Sequence, residues 1–278
     1  MRIIPMLLST LISITASADE TLELQDVVTR FAEARRGIES YSVTITATVD
    51  DAGKPRRLTD GTTHVPDEKL VSFTLEMVSD QKRGQMVVAR LNRFEDIASG
   101  QQENKKWQVW MTDPKRSDAE QRRTGLLLSG GTRPEFFDPL ALGIALGHEY
   151  RAGTPLAKIV QNYSHWHSWI TTPTRDGLAQ FGSKDAVYLE FDLQKDASPV
   201  EVHSRRGNST PYEARLDVSK IDGHWLPTKA DVVYGDQKQR LQFTWNRFNA
   251  SVEHRFSLDD ISNLYQIRVP VSYTHLTL

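Results

Sequence analysis

Alternating apolar and polar residues dominate the chain and predict an antiparallel sheet. In "KLVSFTLEMV" (69–78) every second residue is apolar, and the same period of two recurs in "AVYLEFDL" (186–193) and "YEARLDV" (212–218). Such alternation is typical of antiparallel strands with one buried face, because successive side chains point to opposite sides. Further strands are predicted at 41–49, 85–94 and 106–112.

Three segments have a helical pattern instead. Apolar residues recur at i, i+3, i+4 and i+7 from Leu24 to Ile38, with Arg35 on the same stripe. This pattern predicts an amphipathic helix that packs against a sheet. Two short helices are predicted in "FDPLALGIALG" (137–147) and "GTPLAKIVQNY" (153–163), because each begins with a capping residue followed by proline. The expected fold class is therefore α+β, with a helical insert between two sets of strands.

The N-terminus has the features of a secretory signal. Arg2 precedes an apolar run that ends at Ala16, and small residues stand at the positions before a cleavage site after Ala18. We therefore expect residues 1–18 to be removed and the protein to be exported, either periplasmic or secreted. Residues 19–270 are expected to form a single domain. The ending "VSYTHLTL" (271–278) resembles translated adaptor sequence, so a non-native tail is expected there.

Composition narrows the functional classes. The chain has no cysteine, which excludes disulfides, thiol catalysis and the lipid-bearing cysteine of anchored bacterial lipoproteins. A soluble protein without a lipid anchor is expected. The net charge of −2 gives no basic surface for nucleic acid. The hydrolase pattern G-x-S-x-G does not occur, and "HEYRA" at His148 lacks the second histidine of a zincin helix. No cofactor and no catalysis are expected.

One stretch, "NYSHWHSW" (162–169), raises the possibility of a metal site. On a strand, His165 and His167 would share a face, and two imidazoles at that spacing could chelate zinc. A catalytic zinc site needs a third protein ligand, and a helix continuing through Trp166 would separate the two histidines. A secreted metalloenzyme therefore remains an alternative, less favoured than an ordinary junction between a helix and a strand.

The stretch 186–261 is similar to the second half of a known fold. It contains a strand, a turn, "IDGHWLPTKADV" (221–232), two further strands and a late "FSLDDI" (256–261). Its most specific element is the W-L-P-T sequence, interpreted as a turn after a charged hairpin. With the amphipathic first helix leading into "YSVTITATV" (41–49), the pattern resembles the LolA-like superfamily of exported bacterial proteins. That group includes the lipoprotein carrier LolA, the outer-membrane receptor LolB and the regulator RseB.

The resemblance implies an incomplete β-barrel, in which a strongly curved antiparallel sheet wraps helices and leaves an apolar cavity for acyl chains. The absence of cysteine matches the soluble carrier. The implied partner is lipid or an acylated lipoprotein, bound without catalysis. Trp166 and Trp169 are candidates for the cavity mouth. The candidate cavity residues are Phe73, Leu75, Trp107, Val109, Leu189, Phe191, Phe243 and Trp245.

A second interpretation is a protein-binding sensor of the RseB kind, which detects lipidated or misfolded proteins and signals to a membrane-bound partner protein. The large charged segment 102–123 favours this alternative, because simple carriage does not require it.

Overall fold

The computed structural model describes ten stretches of the chain, with the backbone alone along 102–112. These stretches are 21–50, 54–57, 60–81, 85–99, 102–112, 137–146, 156–163, 169–174, 176–205 and 210–251. The first half contains β1 (Leu22–Glu23), α1 (Leu24–Glu33), β2 (Ser40–Val49), β3 (Arg56–Arg57), β4 (Thr63–His64), β5 (Glu68–Asp80), β6 (Gln85–Asp96) and β7 (Gln102–Thr112).

Within the described stretches, two helical pieces lie between these strands and the second set. They are the 3-10 turn Pro139–Ala141 and helix α2 (Leu156–Asn162). The remaining elements are β8 (Ile170–Thr171), β9 (Leu178–Gly182), β10 (Val187–Asp192), the 3-10 turn Leu193–Lys195, β11 (Ser198–Ser204), β12 (Tyr212–Ile221), β13 (His224–Tyr234) and β14 (Gln237–Phe248).

Ten of the strands form one antiparallel sheet in the order β7-β6-β5-β2-β14-β13-β12-β11-β10-β9. Most neighbours in the sheet are also neighbours in the chain. The exception is the pairing of β14 with β2, which joins the last described strand to the first long one, with Phe243 opposite Ile45. This pairing turns two consecutive meanders into a single sheet. Two small two-stranded sheets, β1-β8 and β3-β4, lie outside it.

The two faces of the sheet differ in polarity along most strands. We call the face that carries Val43 and Ile45 of β2 the inner face, and the face that carries Thr44 and Thr46 the outer face. Strand β6 is an exception, because its inner face carries the buried Arg90 and Asn92. Register extends the inner face across the sheet through buried apolar residues. They include Phe73, Leu75 and Met77 of β5, Leu241 of β14, Ala230 of β13, Ala214 and Leu216 of β12, Val202 of β11, Leu189 and Phe191 of β10, and Phe181 of β9.

Helix α1 belongs to the same hydrophobic core as the inner face. Its buried residues Leu24, Val27, Val28 and Phe31 follow the predicted apolar stripe and join one core cluster with the inner-face side chains. The helix begins beside β8, where the Leu24 amide donates to the Trp169 oxygen at 2.9 Å. Within the described stretches, no helix is long and apolar enough to span a membrane.

Three local predictions need correction. The first helix ends at Glu33, although Arg35 and Ile38 beyond it are still buried. The helix predicted over 137–147 is only the 3-10 turn Pro139–Ala141, because Gly143 has φ +89° and a Cβ there would lie 2.7 Å from Pro199 Cγ. A residue in this left-handed conformation ends a helix.

The W-L-P-T sequence is strand rather than turn. Trp225 to Thr228 lie within β13, and the turn before them is Asp222-Gly223, with φ of 47° and 87°. Positive φ at both central residues is the backbone of a two-residue hairpin. Pro227 is tolerated in the strand because the β12–β13 register shifts between Asp217 and Val218, opposite it. Proline lacks the amide donor of a regular ladder and is therefore found at such irregularities.

Candidate functional site

Most of the predicted cavity residues lie on the inner face. Phe73, Leu75, Leu189 and Phe191 are at most 4% exposed, and Phe243 is 7% exposed. Phe191 contacts Phe181 edge-on, with ring centroids 6.2 Å apart. Trp245 lies on the same face as Phe243 and is half-buried. Their use as a binding surface stays a prediction, whereas their common face follows from strand register.

Two predicted cavity residues take different positions. Register pairs Trp107 with Leu91 and Val109 with Ala89. Those partners alternate along β6 with Arg90 and Asn92, which pair with inner-face Leu75 and Phe73. Trp107 and Val109 therefore occupy outer-face positions of β7, and the expectation that they face inward is not met. Their side chains lie outside what the structure describes.

The predicted mouth and metal residues lie mostly outside the described stretches. Trp166, His165 and His167 fall in the undescribed interval 164–168. Trp169 is half-buried and lies against Gly182 at the end of β9, where an added Cβ would be 2.6 Å from the Trp169 ring. No group of three histidine, aspartate or glutamate side chains in the described part of the chain is arranged to hold a metal ion.

Sequence reasoning missed the chemical importance of Arg35, which is 4% exposed just beyond the end of α1. Its Nη1 donates to the Phe31 oxygen at 3.0 Å, and its Nη2 donates to Ser198 Oγ at 3.1 Å and to the Trp225 oxygen. The guanidinium also lies over the Phe31 ring, 3.8 Å from its centroid. The sequence signal that could have identified Arg35 is its position in the apolar pattern from Leu24 to Ile38, where a charged residue is unexpected.

Arg35 forms no ion pair with any described carboxylate, and its buried Nε has no hydrogen-bond partner. Burial lowers the pKa of Arg35 to about 9, while the charge of Asp196 acts in the opposite direction. The side chain is thus cationic at neutral pH although it is buried. Burying a charge without an ionic partner is costly, which makes this group a candidate for function.

Half-buried aromatic side chains lie near Arg35 and the end of α1. Trp245 stacks on Phe248 with centroids 5.6 Å apart, and its Nε1 donates to the Pro227 oxygen at 2.8 Å. His224 is tilted against Phe248 at 6.4 Å, and its Nδ1 lies 2.9 Å from the Ala34 oxygen at the end of α1. We call His224, Trp225, Trp245 and Phe248 the aromatic rim.

A buried carboxyl group links the helical insert to the sheet. Asp138 Oδ1 accepts hydrogen bonds from the Tyr41 hydroxyl and the Leu140 amide, each at 2.9 Å. Burial raises the pKa of Asp138 even though these hydrogen bonds, with one from the Leu156 backbone, act to lower it. Burial and the neighbouring Asp138 raise the pKa of Tyr41. The group fastens the start of α2 and the Pro139–Ala141 turn to β2.

The outer face carries a network of paired charges. Glu201 accepts from Lys184 Nζ at 2.8 Å and from Arg215 Nε at 2.9 Å, and it lies 2.8 Å from Nε2 of the buried His203. Burial would raise the pKa of Glu201, but these three hydrogen bonds overcome it and lower the pKa to about 2. The outer face is thus polar and internally satisfied, in contrast to the inner face.

Comparison with known proteins identifies neither a family model nor a curated relative that matches the chain. Two solved structures are similar to it. A DUF1329 family protein from Desulfovibrio piger has 10% identity and a TM-score of 0.43, with 84% of this chain and 96% of that chain covered. A structure described as an outer membrane lipoprotein-sorting protein domain, from Vibrio parahaemolyticus, has 9% identity and a TM-score of 0.40, covering 86% and 97%.

Proposed function

We propose that this chain is an exported, carrier-like protein that binds the acyl chain of a lipid or lipoprotein against the inner face of its sheet. The observation that carries the proposal is the continuity of that face. Buried apolar side chains follow one another in register from Phe73 on β5 through Phe243 on β14 to Phe181 on β9. The inner face is therefore an apolar surface that extends over most of the sheet.

We infer that the sheet curves around α1 to form the proposed site. Ten strands about 4.8 Å apart would span roughly 45 Å if flat, whereas a ten-residue helix is only about 15 Å long. Leu75 near one side and Leu189 near the other are nevertheless both fully buried in one cluster with α1. A curved sheet supports this arrangement, because its inner face then encloses the helix and any chain that lies beside it.

The contrast between the faces supports a non-catalytic role for the site. An acyl chain binds by removal of apolar surface from water, worth about 0.8 kcal/mol per methylene. Such binding needs no nucleophile, acid or base. The network of paired charges around Glu201 lies on the outer face. It is therefore away from the surface where the acyl chain would lie.

Titration of delipidated protein with a fluorescent fatty acid tests the proposal. We expect saturable binding, and in competition with unlabelled fatty acids of eight, ten and twelve carbons we expect affinity to rise about threefold to fourfold per methylene. An absence of saturable binding by protein with a folded circular-dichroism spectrum overturns the proposal.

A matched pair of variants on β14 locates the site. Phe243→Ala removes an inner-face ring, whereas Thr244→Ala trims the next residue, which is exposed on the outer face. We expect the first variant to weaken acyl binding and the second to leave it unchanged. Equal effects of the two substitutions would place binding elsewhere than on the inner face.

A further inference from the structure

Two cations, Arg35 and Lys195, flank Trp225 of the aromatic rim. Trp225 accepts a hydrogen bond from the buried Arg35 through its backbone oxygen, and Lys195 Nζ lies 5.8 Å from the centroid of its ring. Lys195 is only partly covered and pairs with Asp192 at 3.0 Å. Ser198 Oγ accepts from the same nitrogen of the guanidinium, Nη2, at 3.1 Å. Two cations, Arg35 and Lys195, thus lie on either side of Trp225 near the end of α1, with Asp192 and Asp196 as their acidic neighbours.

One N–H donor of the Arg35 guanidinium makes no hydrogen bond within the described part of the chain. Its Nε is buried and has no acceptor, and the charge of Asp196 acts on the guanidinium without forming an ion pair. An unmade hydrogen bond at a buried group costs about 1–3 kcal/mol, and more when the group is charged. An anion that reached Arg35 from the inner face would satisfy this donor and neutralise the charge.

We propose that Arg35, Trp225 and Lys195 bind the carboxylate of a long-chain fatty acid whose hydrocarbon chain lies on the inner face. This inference rests on the function proposed above and adds the chemistry of the head group. Guanidinium and carboxylate form strong, charge-assisted hydrogen bonds. Asp192 and Asp196 face the same cations, so the ligand carboxylate competes with them and binding weakens as salt is added.

The aromatic rim is suited to the point where the carboxylate head group of a fatty acid joins its hydrocarbon chain. Tryptophan and histidine have an apolar body and a polar tip, and these residues favour positions where an apolar environment meets a wet one. Trp225, Trp245 and Phe248 are all half-buried, while Phe243 and Tyr41 just inside them are buried. The head group is therefore placed at the rim, with the chain extending inward.

Competition with ligands of equal chain length separates this inference from the proposed function. We expect the wild-type protein to bind dodecanoate about tenfold or more tightly than dodecanol, since the charged head makes hydrogen bonds that the alcohol cannot match. Equal binding of the two overturns the head-group assignment and leaves the proposed function standing. Binding of neither overturns both. Tighter binding of dodecyl phosphate than of dodecanoate overturns the carboxylate assignment.

Two arginines on the same segment provide the matched variants. Arg35→Gln removes the proposed contact, whereas Arg30→Gln removes a guanidinium that donates to the Leu193 oxygen at 2.8 Å. We expect the preference for dodecanoate over dodecanol to disappear only in Arg35→Gln. Loss of the preference in both variants, or in neither, contradicts the inference.

A spectroscopic readout distinguishes contact from a structural effect. In dodecanoate labelled with carbon-13 at its carboxyl group, a bound carboxylate titrates at lower pH when more cations lie beside it, and Lys195 is one of the two proposed here. We expect the bound label to titrate at a lower pH in the wild type than in Lys195→Gln, a variant at a partly exposed position that keeps the core intact. The same titration in both proteins contradicts the placement of the head group at this rim.

Discussion

The Tyr41 hydroxyl donates to Asp138 across 2.9 Å, and this hydrogen bond joins the first long strand to the helical insert. Both side chains are almost fully buried, at 1% and 2% exposure. The Asp138 carboxyl accepts hydrogen bonds from the Tyr41 hydroxyl and from the backbone amides of Leu140 and Leu156. It therefore connects β2, the Pro139–Ala141 turn and the start of α2. Its protonation state therefore affects how firmly the insert is held against the core.

In the Asp138→Asn variant, the free energy of unfolding should fall less with rising pH than it does in the wild type. Burial raises the pKa of Asp138 in the folded protein. Between the pKa of Asp138 in the unfolded chain and its raised pKa in the folded protein, the folded state therefore binds more protons than the unfolded state. Stability then falls as pH rises through that window. Asparagine keeps an acceptor for Tyr41 but cannot titrate. Chemical unfolding between pH 3.5 and 7.5 should show a smaller fall for the variant, and parallel curves would contradict this.

Tyr41→Phe removes the hydroxyl donor and keeps the ring. The variant leaves the buried carboxyl of Asp138 short of one partner, which costs about 1–3 kcal/mol in the free energy of unfolding. The ring contact with Trp245, at a centroid distance of 5.5 Å, is expected to survive. Urea unfolding at pH 7 measures the change, and near-ultraviolet circular dichroism serves as the control for retained aromatic packing.

Glu201→Gln should destabilise the sheet at neutral pH. The carboxylate receives hydrogen bonds from Lys184, Arg215 and His203, and replacing it removes a charge-assisted acceptor that links β11 to β12 and to the turn between β9 and β10. Since these bonds lower the pKa of Glu201 to about 2, the stability they give is present above the unfolded pKa and is lost as pH falls toward 2. The difference between wild type and variant should therefore shrink in acid.

A control for Glu201 lies on the same face. Asp231 pairs with Arg240 at 3.2 Å, but both side chains are mostly exposed, at 66% and 75%. Exposed pairs contribute about 0–1 kcal/mol, so Asp231→Asn should leave the melting temperature nearly unchanged. If both substitutions had the same effect at pH 7, the network around Glu201 would be no more than a set of surface pairs.

Much of this fold is predictable from the sequence because strand alternation is a local property. The faces of Phe73, Leu189 and Phe243 follow from the period of two, and the inner face then follows wherever strands pair. The facing of Trp107 was not predictable, because alternation groups Trp107, Val109 and Met111 on one face of β7 without saying which face of the sheet that is. Its face depends on register with β6, which is decided by contacts between strands.

The candidate site was less predictable than the sheet. Arg35 occupies a stripe position, but its partners Ser198 and Trp225 are more than 160 residues away in the chain. No local pattern brings them together. The aromatic rim likewise depends on the pairing of β14 with β2, which places Trp245 beside Tyr41. Sequence showed the residue types, and only the topology assembled them.

Gly182→Ala should be among the most damaging single substitutions in the described chain. Gly182 has φ +76°, and an added Cβ would lie 2.1 Å from the Val187 oxygen and 2.6 Å from the Trp169 ring. Backbone strain and overlap with a neighbouring carbonyl add together, so we expect a loss of more than about 2 kcal/mol.

The matched control for Gly182 is Gly223, in the turn between β12 and β13. It has φ +87°, but nothing lies within 4 Å of an added Cβ. Gly223→Ala therefore carries the conformational cost alone, about 1–2 kcal/mol, and the excess loss in Gly182→Ala measures the close approach of Trp169 and Val187. Urea unfolding of both variants gives that difference. Equal losses would show that Trp169 and β10 move away at little cost, so that the start of β8 is loosely held against the sheet.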